Sequence, residues 1–291
     1  MRFRPALGLI LLGLIASYVP GLRGLGDATV QMHATWWLET RGFGGFSGIE
    51  LHPDGKTFSA VNDDGRFAVG VIHAEDRIEL TDFPDLTRPN RTAYKGFDGD
   101  AEGIALGQDG SVFVAFEHRK VVTRFDAGGS GGTDLPASPA FGKMADNGSL
   151  EALAIDDAGR LYTMSEMPDA RPRSFRVFRF QDGKWTVAHR IPARNWYRAV
   201  GADFGPDGAF YLLERRLTPL GFQSRIRRWP VSGDVWGQEA TLWQSRAGQF
   251  DNLEGLSIRQ LETGILRATM IADDNFWSFL DTEIVQIDIR I

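Results

Sequence analysis

The sequence predicts an all-β fold, a β-propeller of five four-stranded blades, and three observations support this prediction. Beyond residue 28, short apolar stretches alternate with Gly, Asp, Asn and Pro clusters, and no long segment has helical periodicity. A strand that runs into a turn occurs five times with one pattern. Successive repeats are 55, 49, 49 and 54 residues apart, as in propeller blades, measured at Ile49, Ile104, Leu153, Ala202 and Leu256. An open β-sandwich would leave this period unexplained, whereas six blades remain an alternative if one repeat is degenerate.

The remaining strands follow from the same repeat. A second apolar strand comes after each turn, at residues 57–61, 111–116, 160–164, 209–213 and 265–271. Residues 173–180 and 185–191 flank the hairpin signal Gln181-Asp182-Gly183 and complete a blade. To close the ring, we expect residues 29–38 to pair beside the C-terminal strand at 283–289, so that the N-terminal strand closes the last blade.

Small residues mark the first strand of each repeat as the innermost strand of its blade. They stand two apart and therefore share one face, which we expect to line the crowded central channel. The residues are Gly48, Gly103, Ala105, Ala152, Ala154, Gly201, Gly255 and Ser257.

Composition indicates a folded, acidic protein and excludes several classes of function. The 291 residues are 43% hydrophobic and 24% charged, which is enough for a substantial core. The net charge of −6 provides no basic face, so nucleic acid is not expected as a partner. The sequence has no cysteine, which excludes disulfides, thiolate metal sites and cysteine nucleophiles.

The N-terminal segment has the features of a signal for export. Arg2 and Arg4 precede an apolar run at residues 6–19, which is short for a membrane span. We predict that residues 1–27 are a signal peptide or an N-terminal membrane anchor and that 28–291 form the propeller. The protein would be periplasmic or secreted, and it would touch the inner membrane only through residues 6–19 if they are retained. A buried core helix is the alternative interpretation of this run.

Acidic residues recur where the two inner strands of a repeat begin and end, at one end of the channel. Glu102 and Glu117 stand fifteen residues apart, and Glu151 and Glu166 repeat this interval. Similar positions in the other repeats hold Asp63, Asp64, Glu214, Glu254, Asp273 and Asp274. The first and fourth repeats have Ser47 and Val200 in place of the leading Glu, and each has an acid three positions further on, Glu50 and Asp203. The alternative is that these acids face solvent or pair with arginines.

Carboxylates gathered in this way repel one another unless raised pKa values, basic partners or a bound cation relieve the repulsion. Calcium fits best, because it takes about six to eight oxygen ligands from scattered positions. Zinc would favour His or Cys, and the five histidines are scattered through the sequence.

Basic and polar residues follow several of these acids, which favours a small anionic ligand. Arginine forks suit phosphate or carboxylate groups, which a calcium ion can also bridge. The residues are Arg66, His118, Arg119, Arg215, Arg216 and Asn275. The alternative is that these arginines only neutralise the acidic rim.

Two other motifs receive structural interpretations. Residues 128–132 satisfy the Gly-x-Ser-x-Gly pattern of serine hydrolases around Ser130, but the strand-to-helix context of that motif is missing. We interpret this stretch as a flexible linker. Trp36-Trp37 and Asn195-Trp196-Tyr197 can stack on sugars, although we expect aromatic packing between blades.

The order and spacing of several short motifs resemble those of one known family. The motifs are Ser47-Gly-Ile-Glu50, Glu102-Gly-Ile104, Glu151-Ala-Leu153, Leu-Leu-Glu-Arg215, Gly221-x-x-x-Arg225-Ile226, Asp251-Asn-Leu-Glu-Gly255 and Asp273-Asp-Asn275-Phe276. They are similar to the phytase-like family of exported bacterial propellers, described as having esterase-like activity of phytase. The similarity extends from about residue 40 to the C-terminus. Ser47 and Val200 stand where other repeats have Glu.

The resemblance implies a calcium-dependent enzyme in which rim carboxylates bind calcium, and calcium holds phosphate and activates water. Carried over by position, the implied calcium ligands are Glu102, Glu151, Glu166, Glu214, Glu254, Asp273 and Asp274. We therefore expect a phosphoester or ester hydrolase for a small anionic substrate. A lactonase-type calcium propeller is one alternative, and a non-catalytic periplasmic propeller that binds an envelope ligand with structural calcium is another.

The expected roles of individual residues follow from this hypothesis. We assign Glu151, Glu254, Arg119 and Arg215 to catalysis, with a glutamate as base and the arginines as clamps. Contacts to the substrate are assigned to Arg66, His118, Arg216 and Asn275.

Overall fold

The computed structural model of the protein describes residues 29–37, 44–73, 77–274 and 282–291. In these ranges, five antiparallel sheets form a ring around a central channel, and the first strand of each sheet contacts the first strands of its two neighbours. The fold is therefore the five-bladed β-propeller that the sequence predicts. The predicted signal segment at residues 6–19 lies outside the described residues. No helix in the described ranges has the length and apolar character needed to cross a membrane.

The strands are numbered in chain order, and the blades follow the chain. Strand β1 is Thr29–Trp37. The first blade contains β2 (Phe46–Leu51), β3 (Thr57–Asn62), β4 (Arg66–His73) and β5 (Arg77–Asp82). The second blade contains β6 (Ala101–Leu106), β7 (Val112–Phe116), β8 (Val121–Asp126) and β9 (Ser130–Asp134). A short 3-10 helix at Gly96–Asp98 lies between these two blades.

The third blade contains β10 (Ala152–Ile155), β11 (Leu161–Met164), β12 (Asp169–Ala170), β13 (Arg173–Gln181) and β14 (Lys184–Pro192), after a second 3-10 helix at Phe141–Lys143. The fourth blade contains β15 (Arg198–Phe204), β16 (Phe210–Thr218), β17 (Gly221–Trp229) and β20 (Ala240–Gln244). A two-stranded hairpin, β18 (Val231–Ser232) and β19 (Val235–Trp236), lies between β17 and β20 in sequence. The fifth blade contains β21 (Asn252–Gln260), β22 (Leu266–Asp273), β23 (Glu283–Arg290) and β1.

Both ends of the described chain meet in the fifth blade. Strand β1 pairs antiparallel with β23, with Thr29 opposite Arg290 and Trp37 opposite Glu283. The predicted closure of the last blade by the N-terminal strand is confirmed. The predicted hairpin of the third blade is confirmed as well, because Gln181 pairs with Lys184 across its turn.

The glycine-rich stretch at residues 128–132 is not the linker that the sequence suggested. Ser130 begins β9, the outermost strand of the second blade, and pairs with Asp126. The backbone N–H of Gly129 donates to the carbonyl oxygen of Asp126 (3.1 Å) with a positive φ of 79°, a conformation that glycine adopts readily. The stretch is therefore a tight hairpin turn.

The inner strands lie so close together that only glycine fits at several positions. A Cβ atom on Gly103 would lie 2.4 Å from the carbonyl oxygen of Glu151 in the next blade, and one on Gly201 would lie 2.3 Å from that of Glu254. These distances are far below van der Waals contact, so the small-residue pattern reflects a crowded channel wall. The wall gives the side chains at its end a rigid support.

Aromatic residues fill the spaces within and between blades. Tyr94 is buried against Phe116 and Phe125 in the second blade, with ring centroids 5.1 and 5.7 Å away. Tyr197 is also buried, whereas Trp196 is 77% exposed, so the predicted packing role holds for only one of these two aromatic residues. The side chains of Trp36 and Trp37 lie outside the described part of the structure.

Candidate functional site

The inner strand has an irregularity at the same place in each blade. Pairing shifts by one residue at Ser47 in β2, Glu102 in β6, Val200 in β15 and Glu254 in β21. In the third blade, Glu151 occupies the matching place. Its backbone N–H donates to the carbonyl oxygen of Met164, the residue with which Ala152 pairs. A β-bulge leaves one residue unpaired and redirects its side chain. We call these five residues the bulge ring: Ser47, Glu102, Glu151, Val200 and Glu254.

A second set of five residues lies where the second strand of each blade ends beside the bulge. In the first two blades, the backbone N–H groups of Asp63 and Glu117 donate to the carbonyl oxygens of Gly45 and Asp100, both at 3.0 Å. In the fourth blade, Arg215 pairs with Arg198 at the matching position. We call this set the strand-end ring: Asp63, Glu117, Glu166, Arg215 and Asp273.

The two rings line a cavity of about 310 Å³ at one end of the channel. Every member except Val200 contributes to its wall, and Asp100, His118, Asn147 and Arg198 complete it. The wall therefore carries eight carboxylates and two guanidinium groups. Such an excess of acid is unfavourable unless protons or cations neutralise it.

Burial and mutual repulsion raise the pKa values of these carboxyl groups. Burial is the largest cause of a pKa of Glu102 well above its usual range, and the charge of Glu254 is the next. Glu151 has a similarly raised pKa, from burial first and Glu102 second. The pKa of Asp63 rises to about 8, again through burial first and then the charges of Asp273 and Asp100. Bound protons or a bound cation would relieve the repulsion among these groups.

The fourth-blade side of the cavity contains its own positive charges. The Arg215 Nη2 atom lies 2.7 Å from Oε1 of Glu254 and 3.4 Å from Oε1 of Glu166. Arg198 adds a contact of 2.8 Å to Oε2 of Glu166. Burial raises the pKa of Glu254 to about 8, although the attraction of Arg215 opposes this rise. On this side, arginines partly neutralise the acids.

A second part of the cavity contains the carboxylates of Glu102, Glu117 and Glu151, none of which forms an ion pair with an arginine among the described residues. Carboxylate oxygens of Glu102, Glu117 and Glu151 lie within 4.8 Å of one another, and so do ligand atoms of Asp100, Glu117 and His118. Calcium binds oxygens at about 2.3–2.6 Å, so two ligands on one ion stand up to about 5 Å apart. Both groups have the spacing of a cation site, and they share Glu117.

Further contacts fix the residues around this acidic side. The backbone N–H of Gly148 donates to Oε1 of Glu117, and Ser149 Oγ donates to its carbonyl oxygen (2.6 Å). The His118 Nδ1 atom contacts a carboxylate oxygen of Asp100, whose pKa burial raises to about 6 while the His118 hydrogen bond lowers it. Within the described ranges, the Oδ1 atom of Asp63 is buried without a hydrogen-bond partner, as expected of an oxygen that a cation or water completes.

The structure brings nine of the predicted site residues together. They are Asp63, Glu102, Glu117, His118, Glu151, Glu166, Arg215, Glu254 and Asp273. Asp64 lies beside them, in an adjoining cavity that also includes Asp63, Asp100 and His118. Asn275 is outside the described residues.

Glu214 requires a correction, because the structure does not place it in the cavity. Strand pairing aligns Glu214 with Phe116 of the second blade, and it is Arg215 that occupies the place of Glu117. Glu214 is fully buried, and its carboxylate contacts Arg225 Nε (2.6 Å) and Arg227 Nη1 (3.1 Å). It is therefore the centre of an internal ion-pair network within the fourth blade.

Three other predicted metal ligands also lie away from the cavity wall. Glu50 and Asp203 are further along the inner strands, where Glu50 accepts a hydrogen bond from Ser257 Oγ (3.0 Å) and Asp203 accepts one from the backbone N–H of Ile258 (2.6 Å). Asp274 accepts hydrogen bonds from the Gly45 backbone N–H (3.0 Å) and the Thr282 hydroxyl (3.2 Å). These acids connect neighbouring segments.

Three predicted arginines likewise do not line the cavity. Arg66 stacks 3.6 Å above the ring of Phe83 and donates to its carbonyl oxygen (2.6 Å). Arg119 contacts Asp134 (2.5 Å), and Arg216 donates to the side-chain oxygen of Gln223 (2.7 Å). Their guanidinium groups serve contacts within the blades, so Arg215 is the one predicted arginine in the cavity wall.

Sequence reasoning missed several residues of the cavity, among them Asp100 and Arg198. A signal was available, because pairing places Asp100, Arg198 and Asn252 at matching positions opposite the strand-end ring. Asn252 is buried and donates from Nδ2 to Glu254 (2.8 Å) and Asp273 (3.2 Å). Extending the repeat alignment by two residues before each bulge would have found this set.

Comparisons with known proteins add a family and a fold. The family model described as "Phytase-like: Esterase-like activity of phytase" matches residues 41–276. No curated protein matches the chain. Among solved structures, the PQQ-bound form of aldose sugar dehydrogenase from Streptomyces coelicolor is 12% identical, with a TM-score of 0.53 over 92% of this chain and 100% of that chain. A luciferin-regenerating enzyme is 11% identical, with a TM-score of 0.53 over 87% and 94%. At such identities, these likenesses show the fold alone.

Proposed function

The chain belongs to the phytase-like family, described by esterase-like activity of phytase, and from this premise we propose that it is a calcium-dependent hydrolase of phosphoesters or other esters. Its substrate would be small and anionic, and the reaction would take place in the carboxylate cavity. The observation that carries the proposal is the group formed by Glu102, Glu117 and Glu151, whose oxygens lie within 4.8 Å of one another, with Glu117 and Glu151 buried and Glu102 half-buried.

The donor set supports calcium as the cation. The Glu102, Glu117 and Glu151 group offers only carboxylate oxygens, which hard cations such as calcium prefer. The adjacent group adds one imidazole nitrogen from His118 to the oxygens of Asp100 and Glu117. Because the groups share Glu117, they provide two neighbouring positions for cations.

Two arginines and a hydrogen-bonded carboxylate in the cavity support ester hydrolysis. Bound calcium would supply positive charge that polarises the substrate and lowers the pKa of water. Arg215 and Arg198 line the cavity and can bind the anionic oxygens of the substrate. Glu254 is held by Arg215 (2.7 Å) and Asn252 (2.8 Å), which fixes its carboxylate for proton transfer. Glu151 belongs to the cation-binding group, so we propose Glu254 as the base.

We also propose that the protein is exported. Arg2, Arg4 and the apolar run at residues 6–19 support this location, and the boundary at residues 27 and 28 stays a prediction because it falls outside the described ranges. Export suits a calcium-dependent site, because extracellular calcium-binding modules work with weak affinities, with Kd values of about 10⁻⁴–10⁻³ M.

The test combines metal removal with a substrate panel. The purified protein is treated exhaustively with chelator, divided, and assayed with aryl phosphates, aryl acetates and lactones before and after addition of calcium. We expect hydrolysis of a phosphate or acetate ester to disappear with chelation and to return with calcium.

The panel separates the alternatives. Turnover of lactones alone would replace the proposal with a lactonase. A calcium-dependent rise in Tm without turnover of any substrate would indicate a binding propeller with structural calcium. Full activity after exhaustive chelation would overturn calcium dependence.

A further inference from the structure

A second cavity, of about 340 Å³, opens beside the carboxylate cavity and contains an exposed aromatic side chain. Its wall is formed by Asp63, Asp64, Asp100, His118 and the Gly96–Phe97 turn. Phe97 is 76% exposed, and its ring meets the His118 ring edge-on, with centroids 4.6 Å apart. An apolar side chain this exposed has no role in the core.

The loop that carries Phe97 is held firmly in place. Arg88 Nη2 contacts Asp98 (2.7 Å), and Lys95 Nζ contacts Asp85 (2.6 Å). Tyr94, just before the turn, is buried in the core of the second blade. Phe97 is therefore presented on an anchored 3-10 turn, a geometry that suits an aromatic contact to a ligand.

The two cavities adjoin each other, because Asp63, Asp100 and His118 line both of them. A molecule whose anionic end lies in the carboxylate cavity would extend its remaining part toward Phe97. The described wall of the second cavity contains no arginine or lysine, so it offers no cationic side chain to pair with a further negative charge. This second part of the molecule must therefore be uncharged or cationic, and the exposed ring favours a flat apolar group.

From this arrangement, and resting on the proposed hydrolase function, we propose that Phe97 is a specificity-determining residue that binds an aromatic group of the substrate. The substrate class is then an aryl ester with a single anionic end, and not a molecule that carries anionic groups along its whole length. Phe97 stacks on the aromatic group while the cation and arginines of the carboxylate cavity bind the anionic end.

The test uses two probes that differ only in the ring. Phenylphosphonate and methylphosphonate are titrated calorimetrically into the calcium-loaded full-length chain. We expect the wild type to bind phenylphosphonate about three- to tenfold more tightly, the range of an aromatic pair. Phe97→Ala should reduce this ratio to about one, whereas Phe97→Trp should preserve it.

Trp196→Ala is the matched control, because Trp196 is an equally exposed aromatic residue (77%) outside both cavities. It should leave the ratio unchanged. A wild-type ratio of one, or a ratio that survives Phe97→Ala, overturns the role of Phe97 while the hydrolase proposal stands. If neither probe binds the wild type, the anion-binding cavity and the role of Phe97 both fail.

Discussion

At the scale of the residue, the carboxylates of the cavity are costly to the folded chain. Burial and repulsion raise the pKa values of Glu102 and Glu151 well above their usual range, so ionising these groups opposes folding. A bound cation removes that cost and links its own binding to stability. Replacing one of these residues should therefore raise the stability of the metal-free protein and reduce the stabilisation that calcium provides.

Glu151→Gln tests this opposition. Without metal at pH 8, we expect the variant to have a higher Tm than the wild type by a few degrees, because the amide avoids the cost of ionising a buried carboxyl group or of holding its proton. Its calcium affinity should fall about tenfold or more, since a charged ligand is lost. Thermal unfolding in chelator and in a calcium titration measures both effects.

Glu262→Gln provides the control, because Glu262 is exposed in the turn between β21 and β22. It should change neither quantity. A lower Tm in chelator together with an unchanged calcium response in Glu151→Gln would contradict the assignment.

Asp203, which lies away from the cavity wall and whose charge acts on the buried Glu50, predicts a pH dependence of stability. Burial raises its pKa from 3.8 to about 7, although backbone hydrogen bonds from Ile258 and Phe204 oppose the rise. Because the folded state holds this proton more tightly than the unfolded state, its contribution to stability is complete below about pH 4. It is lost as the pH rises through about 7.

Asp203→Asn keeps an oxygen that accepts the Ile258 N–H and removes the ionisation. In chelator, we expect the wild-type Tm to fall between pH 5 and pH 8, and the fall to be smaller in Asp203→Asn by about 5 °C. Chemical unfolding at several pH values gives the same comparison in free energy. Parallel pH profiles for the two proteins would show that Asp203 ionises normally in the fold.

At the scale of the element, a shift of one residue along a strand decides whether a side chain lies inside the blade or in the cavity. In β16, Glu214 faces Arg225 and Arg227 of β17 inside the blade, while the next residue, Arg215, reaches the cavity. Successive side chains of a strand point to opposite faces, so neighbours in sequence serve different surroundings. The motif around Glu214 looked like the others because it also places an acid near a strand end.

Glu214→Ala should be strongly destabilising and should not affect calcium binding. Two buried guanidinium groups would lose their shared partner, which typically costs about 3–5 kcal/mol of unfolding free energy. Denaturant unfolding measures this loss, and the calcium-induced rise in Tm of the remaining folded protein should match that of the wild type.

Glu79→Ala is the comparison variant, since Glu79 forms an exposed ion pair with Arg77 (3.2 Å). Its effect should stay within about 1 kcal/mol. If Glu214→Ala retained wild-type stability but lost its calcium response, Glu214 would be a ligand after all.

The bulges explain which parts of the site could be predicted from the sequence and which could not. The acids at residues 102, 151 and 254 were identified from their recurrence, which is visible in sequence. Regular alternation puts Glu102 and Gly103 on opposite faces, and the bulge between Ala101 and Gly103 changes that orientation. A bulge depends on how two strands pair, and the inner strand alone does not encode it.

At the scale of the whole molecule, the ring depends on one non-local pairing. Strand β1 is the outer strand of the fifth blade and pairs along β23 from Thr29 to Trp37. Without it, β23 would become an exposed edge with unpaired backbone groups. The position of the fifth blade also holds Glu254 and Asp273 in the cavity wall.

A variant that lacks residues 1–37 should therefore be less stable and prone to aggregation, whereas one that lacks residues 1–28 keeps β1. We expect the longer deletion to lower Tm by about 10 °C or to prevent soluble folding, because a whole strand of the blade is lost. Light scattering and thermal unfolding compare the two deletions. Equal Tm values would show that β1 is dispensable for closing the ring.

The sequence by itself determined the five-bladed propeller, the closure of the ring by its N-terminal strand and the acidic end of the channel. These features depend on local apolar periodicity and on a repeat of about 50 residues, which a single chain displays directly. Tertiary structure decided which acids meet: it brought Asp100 and Arg198 to the cavity, placed Arg215 where an acid was expected, and enclosed Glu214 between arginines. The physical reason is that cavity membership depends on strand register and bulges, and these are set by how two strands pair rather than by residue type.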